Sequence, residues 1–247
     1  MHKDPETSNA EFIEVIAQTV ARGGNVVIPT FAMERAQEIL FHLRNGIASK
    51  ELPGSLAIFL DSPMAISATK IFRRHADGFS PKVRDEMLTG KHPFHPRGLR
   101  FTRQIAESTA INRISGGAVI MAGSGMCTGG RVRHHLKHNI WRSDCSVIFV
   151  GFAAEGTLAR QIVDGAKHIR ISGENIQVNA QIHTINGFSA HADQRELLYW
   201  ASHTGKPKTV FLVHGDYDRG MSDMKDLLVK KGLTIKCPTL HSTFELA

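Results

Sequence analysis

Residues 23–44 read GGNVVIPTFAMERAQEILFHLR, and this stretch decides the fold. Gly23-Gly24 stops whatever precedes it, and Asn25 to Pro29 is a short apolar run of strand length. Thr30 then offers a hydroxyl to cap a helix. Met33 to Arg44 carries Ala36, Ile39, Leu40 and Leu43 at the three- and four-residue spacing of one helical face. The stretch is therefore a strand-loop-helix unit.

Working outward, Ser8-Asn9-Ala10-Glu11 predicts a capping box, with Phe12, Ile13, Ile16 and Val20 following at helical spacing. A second strand-loop-helix unit runs from Leu56–Leu60 through Asp61-Ser62-Pro63 into a helix carrying Ala65, Thr69 and Phe72. Asp61-Ser62 there reads as the cap of that helix. A third has Ala118–Met121 as strand, Ala122–Gly125 as loop and the basic segment Arg131–His138 as helix. Lys91-His-Pro-Phe-His-Pro-Arg-Gly98 is an irregular crossing, because its prolines and glycine break both periods. Ser146–Phe152 predicts another strand and Gly156–Val163 another helix. Beyond His168 the chain turns to short strand-like runs, Ile169–Ile171 and Ile176–Val178, around Gly173. Strands alternating with helices predict an α/β fold with a parallel or mixed sheet, and the change of character places a domain boundary at residues 166/167.

The 247 residues suffice for one large or two small domains, and 42% hydrophobic content is that of a globular protein. Lys and Arg outnumber Asp and Glu by 30 to 23, a net +7 that raises a polyanionic partner modestly. Cys127, Cys145 and Cys237 are scattered without a C-x-x-C pair, so a cytoplasmic protein with reduced thiols is expected rather than a disulfide framework or a cysteine-type zinc site. No window approaches the roughly 18 apolar residues of a membrane helix, and MHKDPETSN lacks the apolar core of a signal peptide.

Two histidines stand in settings that ordinary core packing does not select. His191 lies in Gly187-Phe-Ser-Ala-His-Ala-Asp193, followed by QRELLYWA, where Leu197, Leu198 and Ala201 could face a core. The spacing puts His191 at a loop-to-helix junction, with Ser189 and Asp193 able to orient the imidazole. His214 ends the apolar run Thr209–Val213 and precedes Gly215-Asp216, so it stands at a strand's carboxyl end, where sites in α/β folds lie. His134, His135 and His138 include a pair four apart. The surrounding Arg131, Arg133 and Lys137 favour a basic helix face there over a metal site.

The motifs GFSAHAD (187–193) and VFLVHGD (210–216), together with GGNVVIPTFAMERAQEIL (23–40), FLDSPMA (59–65) and AGSGMCTGGRVRHHLKH (122–138), resemble the β-CASP branch of metallo-β-lactamase-fold nucleases. The resemblance spans nearly the whole chain, with the motifs in the family's order. It implies that residues 1–166 are mostly the β-CASP cap domain and 167–247 the returning carboxyl-terminal part of the metallo-β-lactamase domain. It further implies that His214 is a zinc ligand and His191 a general acid near the scissile phosphate.

The family's H-x-H-x-D-H and its ESTYG motif do not occur in the chain. The expectation is therefore a truncated portion of a zinc-dependent ribonuclease, unable on its own to hold zinc tightly or to cleave RNA. Phosphate contacts are expected from Ser124 and Gly125, where a Gly-Ser-Gly loop meets a helix end, and from Arg35, Arg131, Arg133, His134, Lys137 and Ser189. Arg35 could equally be a solvated arginine paired with Glu38. The expected partner is single-stranded RNA, and a homo-oligomer is left open because uncovered apolar faces seek partners. Two other readings stay open: a non-catalytic RNA-binding module of the same fold, and a metal-independent phosphate-ligand protein.

Overall fold

The computed structural model describes residues 3–188 and 191–245. The chain folds as two compact units, one within Lys3–Ser189 and one within Ala190–Ala247.

The first unit opens with helix α1 (Pro5–Ala21). Its start is earlier than the capping box at Ser8 predicts. Asp4 caps it instead, accepting from the Thr7 amide at 3.0 Å, and Pro5 at the first helical position has no N–H to leave unsatisfied. Ser8 is consequently buried inside the helix, on the side that carries Phe12 and Ile16 into the core.

Strand β1 (Val26–Pro29) follows and is buried throughout. Helix α2 (Arg35–Ala48) begins later than Thr30 and Met33 predict. The Thr30 hydroxyl donates to the Phe31 carbonyl at 3.2 Å rather than capping, and Glu34, at φ 64°, makes the turn into the helix. Strand β2 (Ala57–Asp61) leads into α3 (Pro63–Phe72), capped by the Ser62 hydroxyl, which accepts from the Ala65 amide at 3.2 Å. Helix α4 (Pro81–Leu88), strand β3 (Leu99–Phe101) and helix α5 (Ile105–Ile111) come next. The Lys91–Gly98 crossing between α4 and β3 is irregular, as its prolines require.

Strand β4 (Ala118–Ala122), helix α6 (Val132–Asn139), strand β5 (Ser146–Phe149) and helix α7 (Leu158–Val163) continue the alternation. β5 ends before the predicted Phe152. The hairpin β6 (His168–Ile171) and β7 (Glu174–Gln177) then turns at Ser172-Gly173, both at positive φ. β8 (Gln181–Thr184) returns to pair with β5.

The sheet is six-stranded, in the order β3-β2-β4-β1-β5-β8, with every pairing parallel. Successive residues of β1 point to opposite faces. Val26 and Ile28 join Ile39, Leu40 and Leu43 of α2 and Phe12 and Ile16 of α1 in one core. Val27 joins Leu136 of α6 and Ile162 of α7 in the other. Each fully buried Leu, Ile or Phe contributes about 1.5–3 kcal/mol, so a strand covered on both faces is the natural centre of the sheet.

The second unit contains α8 (Gln194–Ser202), β9 (Val210–Phe211), α9 (Met221–Lys230) and β10 (Ile235–Lys236). β9 and β10 pair in parallel, and the Leu212 amide extends the ladder to the Lys236 carbonyl at 2.9 Å. The core predicted for α8 is not formed: none of its described residues is buried, and Leu197 is 42% exposed.

Candidate functional site

Chain direction creates a crevice in the first unit. From β1 the chain leaves along one face of the sheet through α2 toward β2, whereas from β4 and β5 it leaves along the other face through α6 and α7. Loops that diverge in this way open a space at the carboxyl ends of adjacent parallel strands, which is where α/β sheets bind ligands. Here the space is lined by Pro29 at the end of β1 with Thr30 and Phe31 after it, Arg35 of α2, Gly125 after β4, and the segment Phe149–Phe152 at and beyond the end of β5.

The Gly-Ser-Gly loop bounds this crevice. Met126–Arg131 separate it from α6, which starts at Val132, one residue after the predicted Arg131. The loop closes on itself. The Ser124 amide approaches the Gly129 carbonyl at 3.4 Å, and the Val132 amide donates to the Gly123 carbonyl at 3.2 Å. A Cβ on Gly130 would stand 2.4 Å from the Gly123 oxygen, so only glycine, here at φ 76°, permits the closure. The first turn of α6 is thereby brought back beside Gly123-Ser124, and an anion-receptive arrangement results. The Ser124 hydroxyl lies 3.4 Å from that of Thr128.

The cations of α6 have distinct surroundings. Arg133 braces the loop, donating to the Thr128 carbonyl at 3.1 Å. His134 is exposed, and Lys137 pairs with Glu174 of β7. Arg131 is committed inward: its guanidinium donates to Asp61 Oδ1 at 2.7 Å, to the Thr102 carbonyl at 3.0 Å and to the Arg103 carbonyl at 2.7 Å. Arg35 pairs with Glu38 and its side chain is only 13% exposed, so it forms a wall of the crevice rather than a solvated arm.

Asp61 lies at the centre of a network that sequence reasoning missed. The residue is fully buried, yet Thr102 Oγ1 (2.7 Å), Ser108 Oγ (2.5 Å), His135 Nε2 (2.7 Å) and Arg131 all donate to its carboxylate. The other ring nitrogen of His135 lies 3.2 Å from Asn112 Oδ1. Burial alone would push the Asp61 pKa up. The bonds from His135, Ser108, Thr102 and Arg131 outweigh it and hold the carboxyl well below the usual range. The network ties the end of β2 to α5 and to the start of α6. The only hint in the sequence was an aspartate ending an apolar strand, and that pattern equally describes a helix cap. Phe31 and Phe152 were also missed, although they stand two and three residues beyond the ends of β1 and β5.

In the second unit His191 is exposed and precedes α8, whose N-cap is Asp193. Asp193 Oδ1 accepts from the amides of Arg195 (2.8 Å) and Glu196 (3.0 Å), and Glu196 returns a bond to the Asp193 amide at 2.7 Å. The capping box sets the direction in which the chain carrying His191 meets the helix. Ser189 lies outside the described residues. His214 is exposed at φ 61°, just past β9, and the neighbouring Asp216 has a buried Oδ2 without a hydrogen-bond partner. Among the described residues no three His, Cys, Asp or Glu side chains come together as a metal site. Among the described residues no helix is long and apolar enough to cross a membrane.

Comparison with known proteins agrees with this geometry. Residues 36–162 match the Beta-Casp domain, and residues 175–238 match the Zn-dependent metallo-hydrolase RNA specificity domain. The chain is similar to ribonuclease TTHA0252 of Thermus thermophilus, at 42% identity over 88% of the chain and 49% of that protein. It is also similar to transcription termination factor FttA of Pyrococcus abyssi (35% identity, 98% of the chain, 38% of the relative) and of Thermococcus kodakarensis (36% identity, 94% and 37%). The chain thus spans about half or less of the length of these relatives. With the Beta-Casp match covering strands β2 to β5 of the parallel sheet, and the RNA specificity match following it, the chain belongs to the β-CASP family of metallo-hydrolase-fold nucleases.

Proposed function

We propose that this chain is the RNA-holding portion of a zinc-dependent ribonuclease that hydrolyses phosphodiester bonds. The observation that carries the reading is the crevice at the point where the sheet's connections diverge, bounded by the Gly-Ser-Gly loop on which the first turn of the basic α6 is folded back, in a chain that also matches the RNA specificity domain. In this reading the amides and side chains around Ser124, Gly125, Arg133 and His134 contact phosphates. Arg131 supports them from behind through Asp61. Arg35 serves as a wall and Lys137 as a peripheral cation.

His191 is the group proposed to protonate the leaving oxygen, oriented by Asp193 and Ser189, and His214 is proposed as one zinc ligand. Zinc would supply an activated water in the full ligand set. The reading of this chain rests on RNA binding. Residues 1–166 and 167–247 are proposed as the cap and metallo-hydrolase segments, a division that falls between the two family matches. The free cysteines fit a cytoplasmic location. Exposed Tyr199 and Trp200 on α8 support self-association.

The test is binding of a fluorescein-labelled single-stranded RNA, followed by anisotropy across a salt series. Each neutralised phosphate of a single strand should contribute about −0.7 to the slope of log K against log salt. Affinity independent of salt, or no binding at low salt, overturns the reading.

A further inference from the structure

The crevice contains more than phosphate binding uses. Phe31 and Phe152 are 49% and 62% exposed, although both line it, whereas Phe149 and Val150 of the same lining are buried in the core. Phe31 lies against the Gly-Ser-Gly loop: a Cβ on Gly125 would stand 2.9 Å from its Cε2, 3.1 Å from its Cζ and 3.2 Å from its Cδ2. The missing side chain at Gly125 is what lets the ring approach the peptide there. Among the described residues the Gly125 and Met126 amides donate to no protein acceptor. The Arg35–Glu38 pair keeps the adjoining wall close to neutral.

Flat apolar rings and free amide donors therefore share one small edge of the sheet. A planar group attached to an anion satisfies both. A protruding apolar side chain of another protein would use the rings and leave the amides unanswered.

We infer that the Phe31–Phe152 crevice is a base-stacking subsite. An unpaired nucleobase of single-stranded RNA packs against the two rings while its adjoining phosphate meets the amides of residues 125 and 126. Every base has a π-face, so the subsite holds the strand without selecting among sequences. The inference rests on the RNA-binding reading and adds to it the residues that take the base.

The experiment uses the full chain and fluorescein-labelled oligouridylate of roughly 12 nucleotides, within the span that one such groove covers. A companion oligomer of equal length has abasic sugars throughout. Phe31→Ala and Phe152→Ala are compared with the unaltered chain, and Phe31→Leu and Phe152→Leu keep apolar bulk should the alanine variants fail to fold, as judged by thermal unfolding. Loss of one stacked base is expected to weaken oligouridylate binding roughly 5- to 150-fold. The abasic oligomer should bind weakly to every variant and show no further loss. Equal affinity of the unaltered chain for both oligomers, or variants that bind oligouridylate normally, overturns the stacking subsite while leaving salt-dependent RNA binding intact. If the unaltered chain binds neither oligomer at low salt, the RNA-binding reading fails with it. Variants that lose self-association but keep oligouridylate affinity also overturn the subsite, since the rings then serve a protein contact.

Discussion

Replacing Asp61 by Asn is the most informative single perturbation of the scaffold. The carboxylate is fully buried and accepts four hydrogen bonds, two at each oxygen: Thr102 and Arg131 at Oδ1, Ser108 and His135 at Oδ2. An amide has the same shape, but its NH₂ must face two groups that are already donors, whichever way it is flipped. The Arg131 guanidinium also loses its ion-pair partner. Removing one member of a buried ion pair costs about 3–5 kcal/mol. Measured against a typical total stability of roughly 5–15 kcal/mol, that is a large fraction.

The same site fixes the sign of a pH dependence. The folded-state pKa of Asp61 is depressed below its ordinary 3.8. Its contribution to stability is therefore present above 3.8 and is lost as pH falls below that value toward the depressed one. Urea unfolding followed by circular dichroism at pH 7 and at steps below pH 4 measures both effects. The Asn variant should be destabilised by about 3–5 kcal/mol at pH 7 and should show a shallower loss in acid. A variant within about 1 kcal/mol of the unaltered chain at pH 7, with an identical acid profile, would refute the reasoning.

Other consequences can be checked separately. His42 lies against the Phe188 ring at 4.9 Å, and burial, aided by Arg35, lowers its pKa to about 4. The unfolded chain thus binds the extra proton between pH 6.5 and 4, and stability should fall as pH drops through that window. His42→Phe should flatten this part of the profile, and an unchanged slope in a thermal-melt series would count against it. Arg133→Ala should weaken RNA binding and reduce the magnitude of the salt slope by roughly 0.7 with little change in unfolding. Arg131→Ala should lower stability first, because its guanidinium is tied to Asp61, Thr102 and Arg103; equal stability of the two variants in urea would contradict this division. In a full-length family enzyme carrying this chain, His214→Ala should lose both zinc and cleavage. His191→Ala should keep zinc and lose roughly 10²–10⁴-fold in single-turnover cleavage. Loss of zinc in both would make His191 a ligand.

The parts legible in the sequence are those where period and length reinforce each other. β1, β2 and β4 are apolar runs followed by loops and then by helical spacing, and all three appear within a residue or so of their predicted places. α4 has no buried residue, β3 is only three residues long and α5 only seven, so none shows a periodic apolar face long enough to read. The starts of α1 and α2 moved because several residues near each start could serve as caps, and tertiary packing chose Asp4 over Ser8 and a positive-φ Glu34 over Thr30. For the site, the Gly-Ser-Gly loop and the basic helix were visible as local motifs. The commitment of Arg131 was not, since its partner Asp61 is 70 positions away and nothing local distinguishes a buried aspartate from a cap. Phe31 and Phe152 were likewise unreadable as a pair, because only the parallel β1–β5 contact brings their segments to one crevice.

The measurement that tests the central claim most directly is the location of bound RNA on the chain. A single-stranded oligomer containing 4-thiouridine, photo-crosslinked to the protein and mapped by mass spectrometry, reports which residues the bases and backbone touch. The account predicts crosslinks in the segments after β1, β4 and β5, at residues 29–35, 122–134 and 149–153, suppressed by unlabelled RNA and by added salt. Crosslinks confined to the opposite end of the sheet, around residues 22–25 and 142–146, would contradict it.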